Sequence, residues 1–392
     1  MTQNFDAIII GAGVIGTSIA FHLTERGLKP VILERKQLGF GATGSSSGLV
    51  RMHYDLEVES RLAWASFQYF RNWSERVGGE CGFRRTGFLD IEHADHVTQL
   101  RSNVEMHKQI GIPTEVITGA DVKRIAPSFF TDDIEFAAYE PESGYADATL
   151  TANSFLTAAK ERGAIYMQDC AVSGVEIMGG KVISVQTTRG DFSAPIIINA
   201  AGAWAGKVSE LFGVPIPLDT WTHDVLHIRR PDQVSEHPTV IDNSLSMYFR
   251  PDSGGLTLVA LEDDSRMGEL PDAELGYAAK GFVERAIDRI CKRVPVMEEG
   301  SYHSSLVGRD GVTPDQRAII GKTNLEGYYL ATGFSGTGFK LSPAVGLCVS
   351  ELVLDGKANT VDISAFTPMR FERGEHLKGE NDYGSVWHNT SS

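Results

Sequence analysis

Cysteine is scarce in this chain of 392 residues: Cys81, Cys170, Cys291 and Cys348 are scattered, with no CxxC or metal-ligand spacing. That argues against a disulfide-stapled scaffold and against a metal centre, and reduced thiols point to the cytoplasm. Long hydrophobic runs are absent as well. No stretch approaches the ~18–20 apolar residues of a membrane-spanning helix, and the first apolar run is too short for a signal-peptide core, so a cytoplasmic protein is expected. Positive charge is outweighed, 36 Lys and Arg against 51 Asp and Glu, for a formal net charge of −15. Such a balance argues against a nucleic-acid surface and against charge-driven docking on anionic lipid. Any anionic ligand must therefore be drawn in by a local basic site. Internal repeats and low-complexity blocks are missing too, and the length suffices for two domains with substantial cores.

Glycine, in contrast, is abundant and placed. Ala7 to Ile10 is a short β-branched run that reads as a buried parallel strand. It stops at Gly11-Ala-Gly13-Val14-Ile15-Gly16, after which Thr17 to Arg26 carries helical spacing. In a dinucleotide-binding turn the first glycine allows the sharp bend, the second lets backbone approach a pyrophosphate and the third lets helix and strand pack closely. The helix N-terminus adds N–H groups and a positive dipole end. A second strand, Val31 to Leu33, ends on Glu34, placed to accept hydrogen bonds from a ribose diol. Strand, glycines, helix and acid together indicate a dinucleotide site without saying which dinucleotide.

The stretch Arg35-Lys36 through Gly48 holds Thr43, Ser45, Ser46 and Ser47 and is too rich in Gly and Ser to pack alone, so it reads as a loop wrapping a polar ligand. Arg51 follows in Leu49-Val-Arg-Met-His-Tyr54, and a helix is expected from Glu57 to Val77. Ile196 to Asn199 is a second buried strand, ending in Ala200-Ala201-Gly202-Ala-Trp204. Strand-rich texture fills the region from Pro215 to about His303, with a helix from Leu275 to Arg293. Near the end stand Gly311-Val-Thr-Pro-Asp315 and Gly333-Phe334-Ser335-Gly336-Thr337-Gly338-Phe339-Lys340, a glycine-rich turn feeding a helix from Pro343 to Leu354. Beyond Glu372 the chain is polar and reads as a frayed tail. The pattern indicates an α/β protein of two interleaved domains. A Rossmann-like nucleotide-binding domain takes 1–82, 148–214 and 303–372. An α+β substrate domain on a large mixed or antiparallel sheet takes 83–147 and 215–302, and 373–392 form the tail.

Taken together, GAGVIG with Glu34, GATGSSSGLVR, IIINAAGAWA and GVTPD with GFSGTGFKLSP resemble the D-amino-acid oxidase family of FAD-dependent amine oxidoreductases, in its sarcosine oxidase and glycine oxidase branch. The resemblance spans residues 5 to about 356. It implies a glutathione-reductase-type FAD domain, with FAD contacts at the residues named above from Gly11 to Leu49, at Val172, at Ala200 to Trp204, at Gly308 and at Gly333 to Lys340. It implies further that Arg51 and Lys340 bind a substrate carboxylate and that Tyr248 lines the pocket. A guanidinium holds a carboxylate bidentately and an ammonium adds a point charge.

The chain departs from the family pattern in three places. Gly308 lies where covalent members carry a flavin-linking cysteine nearby, so FAD is expected to be non-covalent. Thr257 replaces the oxygen-activating lysine, which opens a choice between O₂ and another electron acceptor. Thr337 replaces a histidine of the glycine run. The implied reaction oxidises the C–N bond of a carboxylate-bearing amino acid, secondary or N-substituted, by hydride transfer to flavin N5, with later hydrolysis of the imine. Two alternatives remain: a flavin subunit within a hetero-oligomer, as against a free-standing protein or homo-oligomer, and a 2-hydroxy-acid dehydrogenase using the same clamp.

Overall fold

A computed structural model describes residues 2–263 and 266–383. The opening run forms the strand Ala7–Ile10, fully buried because helices cover one face of its sheet and the strands Lys181–Thr187 and Gly190–Ser193 cover the other. That sheet has six strands in the order Ile165–Met167, Pro30–Leu33, Ala7–Ile10, Ile197–Asn199, Tyr328–Thr332 and Ile319–Lys322; all neighbours are parallel except the last pair. Sequence-distant strands therefore meet at one edge, where their C-terminal ends carry the glycine turn, Glu34 and the Ala200–Gly202 turn. Helices Val14–Glu25, Ala148–Glu161 and Gly338–Asp355 pack together against one face.

A second sheet of nine strands carries the other half of the molecule. Asp219–Arg229 pairs with Leu256–Leu261, which continues through Met247–Asp252, Thr239–Asp242 and Phe88–Ile91 to Phe136–Glu140 and Glu115–Thr118. Strand Ser301–Val312 lies on the other side of Asp219–Arg229. Alternation sorts the residues by face. Leu89, Ile91, Val240, Phe249, Val259 and Leu261 point into a core closed by helix Phe282–Arg293. The opposite face, with Asp90, Tyr248 and Asp310, looks toward the six-stranded half.

Several expected elements shift. Residues 303–312, expected with the nucleotide-binding half, extend the large sheet instead, because strand Ser301–Val312 pairs along the whole of Asp219–Arg229. The helix expected from Leu275 begins only at Phe282, behind Gly281 at φ +77°. The last long helix starts at Gly338, five residues before Pro343, so Lys340 lies in its first turn. The tail is not frayed through Tyr383. Leu377 N–H donates to Asp315 Oδ2 at 3.1 Å, Glu380 N–H to the Asp55 carbonyl at 3.0 Å, and Asn103 Nδ2 to the Asn381 carbonyl at 3.1 Å. Polar composition made this segment look like solvent-facing chain, yet its polar groups are spent on the fold. The remainder of the tail, 384–392, lies outside the described residues.

At Gly16 a Cβ would fall 2.0 Å from the Gly11 carbonyl oxygen, a backbone atom with little room to yield. Gly16→Ala is therefore expected to destabilise the chain by about 3 kcal/mol or more, at or beyond the upper end of overpacking costs. Urea titration checks this; an unchanged midpoint would show that helix and strand can separate without loss.

Candidate active site

A cavity of about 1010 Å³ runs between the two halves, from Glu34 at one end to Asp90 and Tyr383 at the other. At the first end Gly11, at φ +106°, turns the chain beneath Ala200, where a Cβ would meet the Ala200 oxygen at 2.6 Å. The Glu34 carboxylate is fixed by its own backbone surroundings, accepting from Ala12 N–H at 2.9 Å and from Lys36 N–H at 2.8 Å. Thr43 Oγ1 accepts from Val14 N–H at 3.0 Å, which ties the Ser/Gly loop to the helix start. Arg35 stacks on Trp204 at 4.5 Å, and both bond to Asp272.

Most of the expected contact residues line this one cavity: Gly11, Gly13, Val14, Ile15, Glu34, Arg35, Thr43, Ser46, Ser47, Leu49, Val172, Ala200, Ala201, Gly202, Trp204 and every residue from Gly333 to Lys340. Gly16, Lys36, Ser45, Gly48 and Gly308 do not line it. Gly16 serves helix–strand contact, Lys36 points to solvent, and a Cβ on Gly48 would strike the Ala146 oxygen at 2.2 Å. Gly308 leaves room for His223 and Ser45, whose atoms would lie 2.6 and 2.8 Å from an added Cβ. These glycines shape the walls from behind.

The loop Gly333 to Thr337 holds Ser335 at φ +48° and is pinned to the large sheet, with Ser335 N–H donating to the Gly311 carbonyl at 3.1 Å. Helix Gly338–Asp355 then starts against the cavity, and no N-cap side chain bonds its first turn. An extended dinucleotide fits these walls. One helix N-terminus and bare glycine backbone suit a diphosphate, and a second positive helix end suits an electron-rich ring.

Arg51 and Lys340 come together at the far end. The Arg51 guanidinium lies 4.3 Å from the Tyr54 ring centroid and 5.8 Å from that of Phe88, and it donates to the His53 carbonyl. Among the described residues it meets no carboxylate at ion-pair distance. Lys340, only 8 % exposed, makes no hydrogen bond or ion pair among the described residues. Burial and the Arg51 charge hold its ammonium well below the usual lysine range. Tyr248 also lines the cavity, its hydroxyl pushed up by burial. Arg250 serves the fold, 3.2 Å from Asp252 and stacked on Tyr145. Thr257 is fully buried behind the cavity wall, its hydroxyl 3.0 Å from His237 Nε2.

Several cavity residues carry no motif. His53 sits in the wall rather than in an apolar core, with Nε2 2.8 Å from Tyr383 Oη and 3.2 Å from Asp90 Oδ2. Asp90, Glu92 and Glu262 line the same end. Leu377, Lys378, Asp382 and Tyr383 close one side of it.

The chain matches the model of the DAO family, described as FAD dependent oxidoreductase, over residues 6–352. It belongs to that family, and FAD is its cofactor. Mouse (Mus musculus) mitochondrial sarcosine dehydrogenase is 27% identical over 93% of this chain and 41% of its own length. The chain thus spans about two fifths of that relative. Sarcosine oxidase subunit beta of Arthrobacter sp is 26% identical over 98% of this chain and 95% of its own. The solved L-proline dehydrogenase of P. horikoshii superposes with a TM-score of 0.90 at 27% identity, over 96% of this chain and 100% of that one. Among the described residues no helix is long and apolar enough to cross a membrane.

Deleting the chain from Glu375 onward removes the wall that carries Leu377 and Tyr383. The KM for the best substrate is expected to rise about tenfold or more, a loss of roughly 1.4 kcal/mol of binding, while flavin content stays unchanged. A KM within twofold of the full chain would show that this segment takes no part in the site.

Proposed function

We propose that the protein oxidises the C–N bond of a carboxylate-bearing amino acid, secondary or N-substituted, with non-covalently bound FAD. The carrying observation is the pair Arg51 and Lys340, two cations at one end of the cavity with no carboxylate at ion-pair distance among the described residues. Cations removed from water without a counter-ion are costly, and an anionic ligand group offsets that cost. The relatives' names, sarcosine and L-proline, both denote secondary amino acids.

Bound FAD supplies the two-electron acceptor. The chain's own task is positioning. Arg51, its guanidinium plane set by the Tyr54 ring and the His53 carbonyl, takes the carboxylate through two parallel N–H groups. Lys340 adds a second charge from the start of its helix, beside the loop Gly333 to Thr337 that would hold the flavin ring. A carboxylate fixed between them orients the adjoining carbon toward that loop. The large sheet with Tyr248 covers the opposite side and excludes water.

Arg51→Ala and Lys340→Ala are each expected to lower kcat/KM on the best amino acid by about 10²-fold or more, as follows from losing a charge-assisted contact of 2–5 kcal/mol. Anaerobic flavin bleaching against N-methyl, D-, cyclic and N-carboxyalkyl amino acids and 2-hydroxy acids identifies that substrate; normal kinetics in either variant would refute the clamp. The pH dependence has a definite sign. Lys340 titrates below its ordinary 10.5, so it is charged at low pH and loses its charge earlier than an exposed lysine as pH rises. The Kd of an unreactive carboxylate such as acetate should therefore increase with pH through a transition below 10.5, and that transition should vanish in Lys340→Met.

The match to sarcosine oxidase subunit beta across 95% of that protein favours a second reading, a flavin subunit within a hetero-oligomer. Native mass after purification from the source organism separates the two.

A further inference from the structure

The end of the cavity that holds Glu34 meets a loop carried by the other half of the molecule. After the short strand Arg266–Met267, which pairs with Asp219–Arg229, the chain runs out and returns at helix Phe282–Arg293. Hydrophobic packing does not hold this loop, since Leu270, Leu275 and Tyr277 are exposed. Polar contacts hold it instead. Asp224 Oδ2 accepts from Arg266 Nη1 at 2.8 Å and from Ala279 N–H at 2.8 Å, which ties both ends to one buried carboxylate. Arg309, 5 % exposed, donates to the Pro271 carbonyl at 3.2 Å, the Ala273 carbonyl at 2.8 Å and Glu269 Oε2 at 3.0 Å. A guanidinium from the large sheet thus grips the backbone on either side of Asp272.

The Asp272 side chain reaches across to the six-stranded half. Its Oδ1 accepts from Arg35 Nη1 at 2.6 Å and from Trp204 Nε1 at 2.8 Å, and its Oδ2 from Lys207 Nζ at 2.7 Å. The three donors come from separate segments: Arg35 follows Glu34, Trp204 ends the Ala200 turn, and Lys207 stands on helix Ala205–Leu211. All four side chains line the cavity. Phe40, its ring 6.0 Å from that of Trp204, lines it beside them. A single exposed ion pair contributes little, but one acid shared by three donors is a network whose members support one another. The two cations are already engaged with Asp272, and a diphosphate is matched elsewhere, by the glycine backbone at the start of helix Val14–Glu25.

We propose that the Pro271–Ala273 loop is a strap over the nucleotide end of the FAD site, closed by Asp272, so that this end of the cofactor becomes accessible only when the Asp272 contacts open. The proposal goes beyond the reaction above: it needs the cofactor of the family and no particular substrate. The side chains of Asp272 and Lys207 are 44 % and 49 % exposed, so salt reaches the closure and screens it.

Digestion of the FAD-loaded protein with a nucleotide phosphodiesterase tests the strap without turnover. The phosphodiesterase hydrolyses the FAD diphosphate to FMN and AMP when it can reach that bond, and each rate is normalised to free FAD under the same condition. Asp272→Ala is expected to raise AMP liberation at least about tenfold, and Lys207→Met at least about threefold. Raising salt from about 0.05 to about 0.5 M should speed liberation from the wild type and leave Asp272→Ala unchanged. Wild-type and Asp272→Ala rates within about twofold of each other overturn the strap. Slower liberation from Asp272→Ala also overturns it, because that is the sign expected of an acid that only repels the diphosphate. Arg26→Ala serves as a control, since it breaks an exposed pair with Asp355 away from the cavity. A rise in that variant equal to the rise in Asp272→Ala overturns the strap as well, by tracing both to lost stability. Flavin that stays with acid-precipitated protein while AMP is liberated faster from Asp272→Ala overturns the non-covalent reading and leaves the strap standing.

Discussion

Everything at the centre of this protein depends on holding two cations close together and out of water. Arg51 and Lys340 repel each other, and Lys340 also sits in the first turn of its helix, where the dipole disfavours positive charge. The fold tolerates this because Arg51 spreads its charge over the Tyr54 ring and the His53 carbonyl, and because Asp90, Glu140, Glu59 and Asp310 lie near enough to moderate the field. Those acids moderate the charge without closing on it. A site left in that condition is preorganised for an anion.

The two sheets divide the work. The six-stranded sheet brings strands from five parts of the chain together, so that glycine turns and helix N-termini converge on one end of the cavity. The nine-stranded sheet turns one face to a hydrophobic core and the other to the cavity. That second face sets Asp90, Tyr248 and Asp310 in the cavity wall beside a small apolar cluster of Val225, Leu258 and Ala260. Asp315 links the halves to the end of the chain: it takes a bidentate bond from Arg370 at 2.8 and 2.9 Å and the Leu377 N–H at 3.1 Å. The segment running on to Tyr383 is thereby drawn over the end of the cavity that holds Asp90.

What was legible in the sequence was local. The strand, the three glycines and Glu34 announce themselves because each answers a backbone requirement within thirty residues, and the cofactor-side loops were readable through their glycines and hydroxyls. Asp90, Glu92 and Glu262 were not, because acids alternating with apolar residues look the same whether a strand faces water or a closed cavity. Only the long-range register of Phe88–Ile91 with Thr239–Asp242 and its neighbours reveals which. Helix Gly338–Asp355 was placed too late because Pro343 and the preceding glycines read as breakers. The closing segment is not legible in the sequence because its partners are remote: Asp315 lies 62 residues before Leu377 and Asn103 lies 278 before Asn381, with Asp55 earlier still.

The central claim is that a carboxylate is recognised between Arg51 and Lys340. It is tested most directly by anaerobic reduction of the bound flavin with the best amino acid and with its α-carboxamide, which keeps the reacting C–N bond and removes only the negative charge. The account predicts that the amide reduces the flavin at least about 10²-fold less efficiently, as follows from losing 2–5 kcal/mol of charge recognition. Equal rates of bleaching by acid and amide would contradict it.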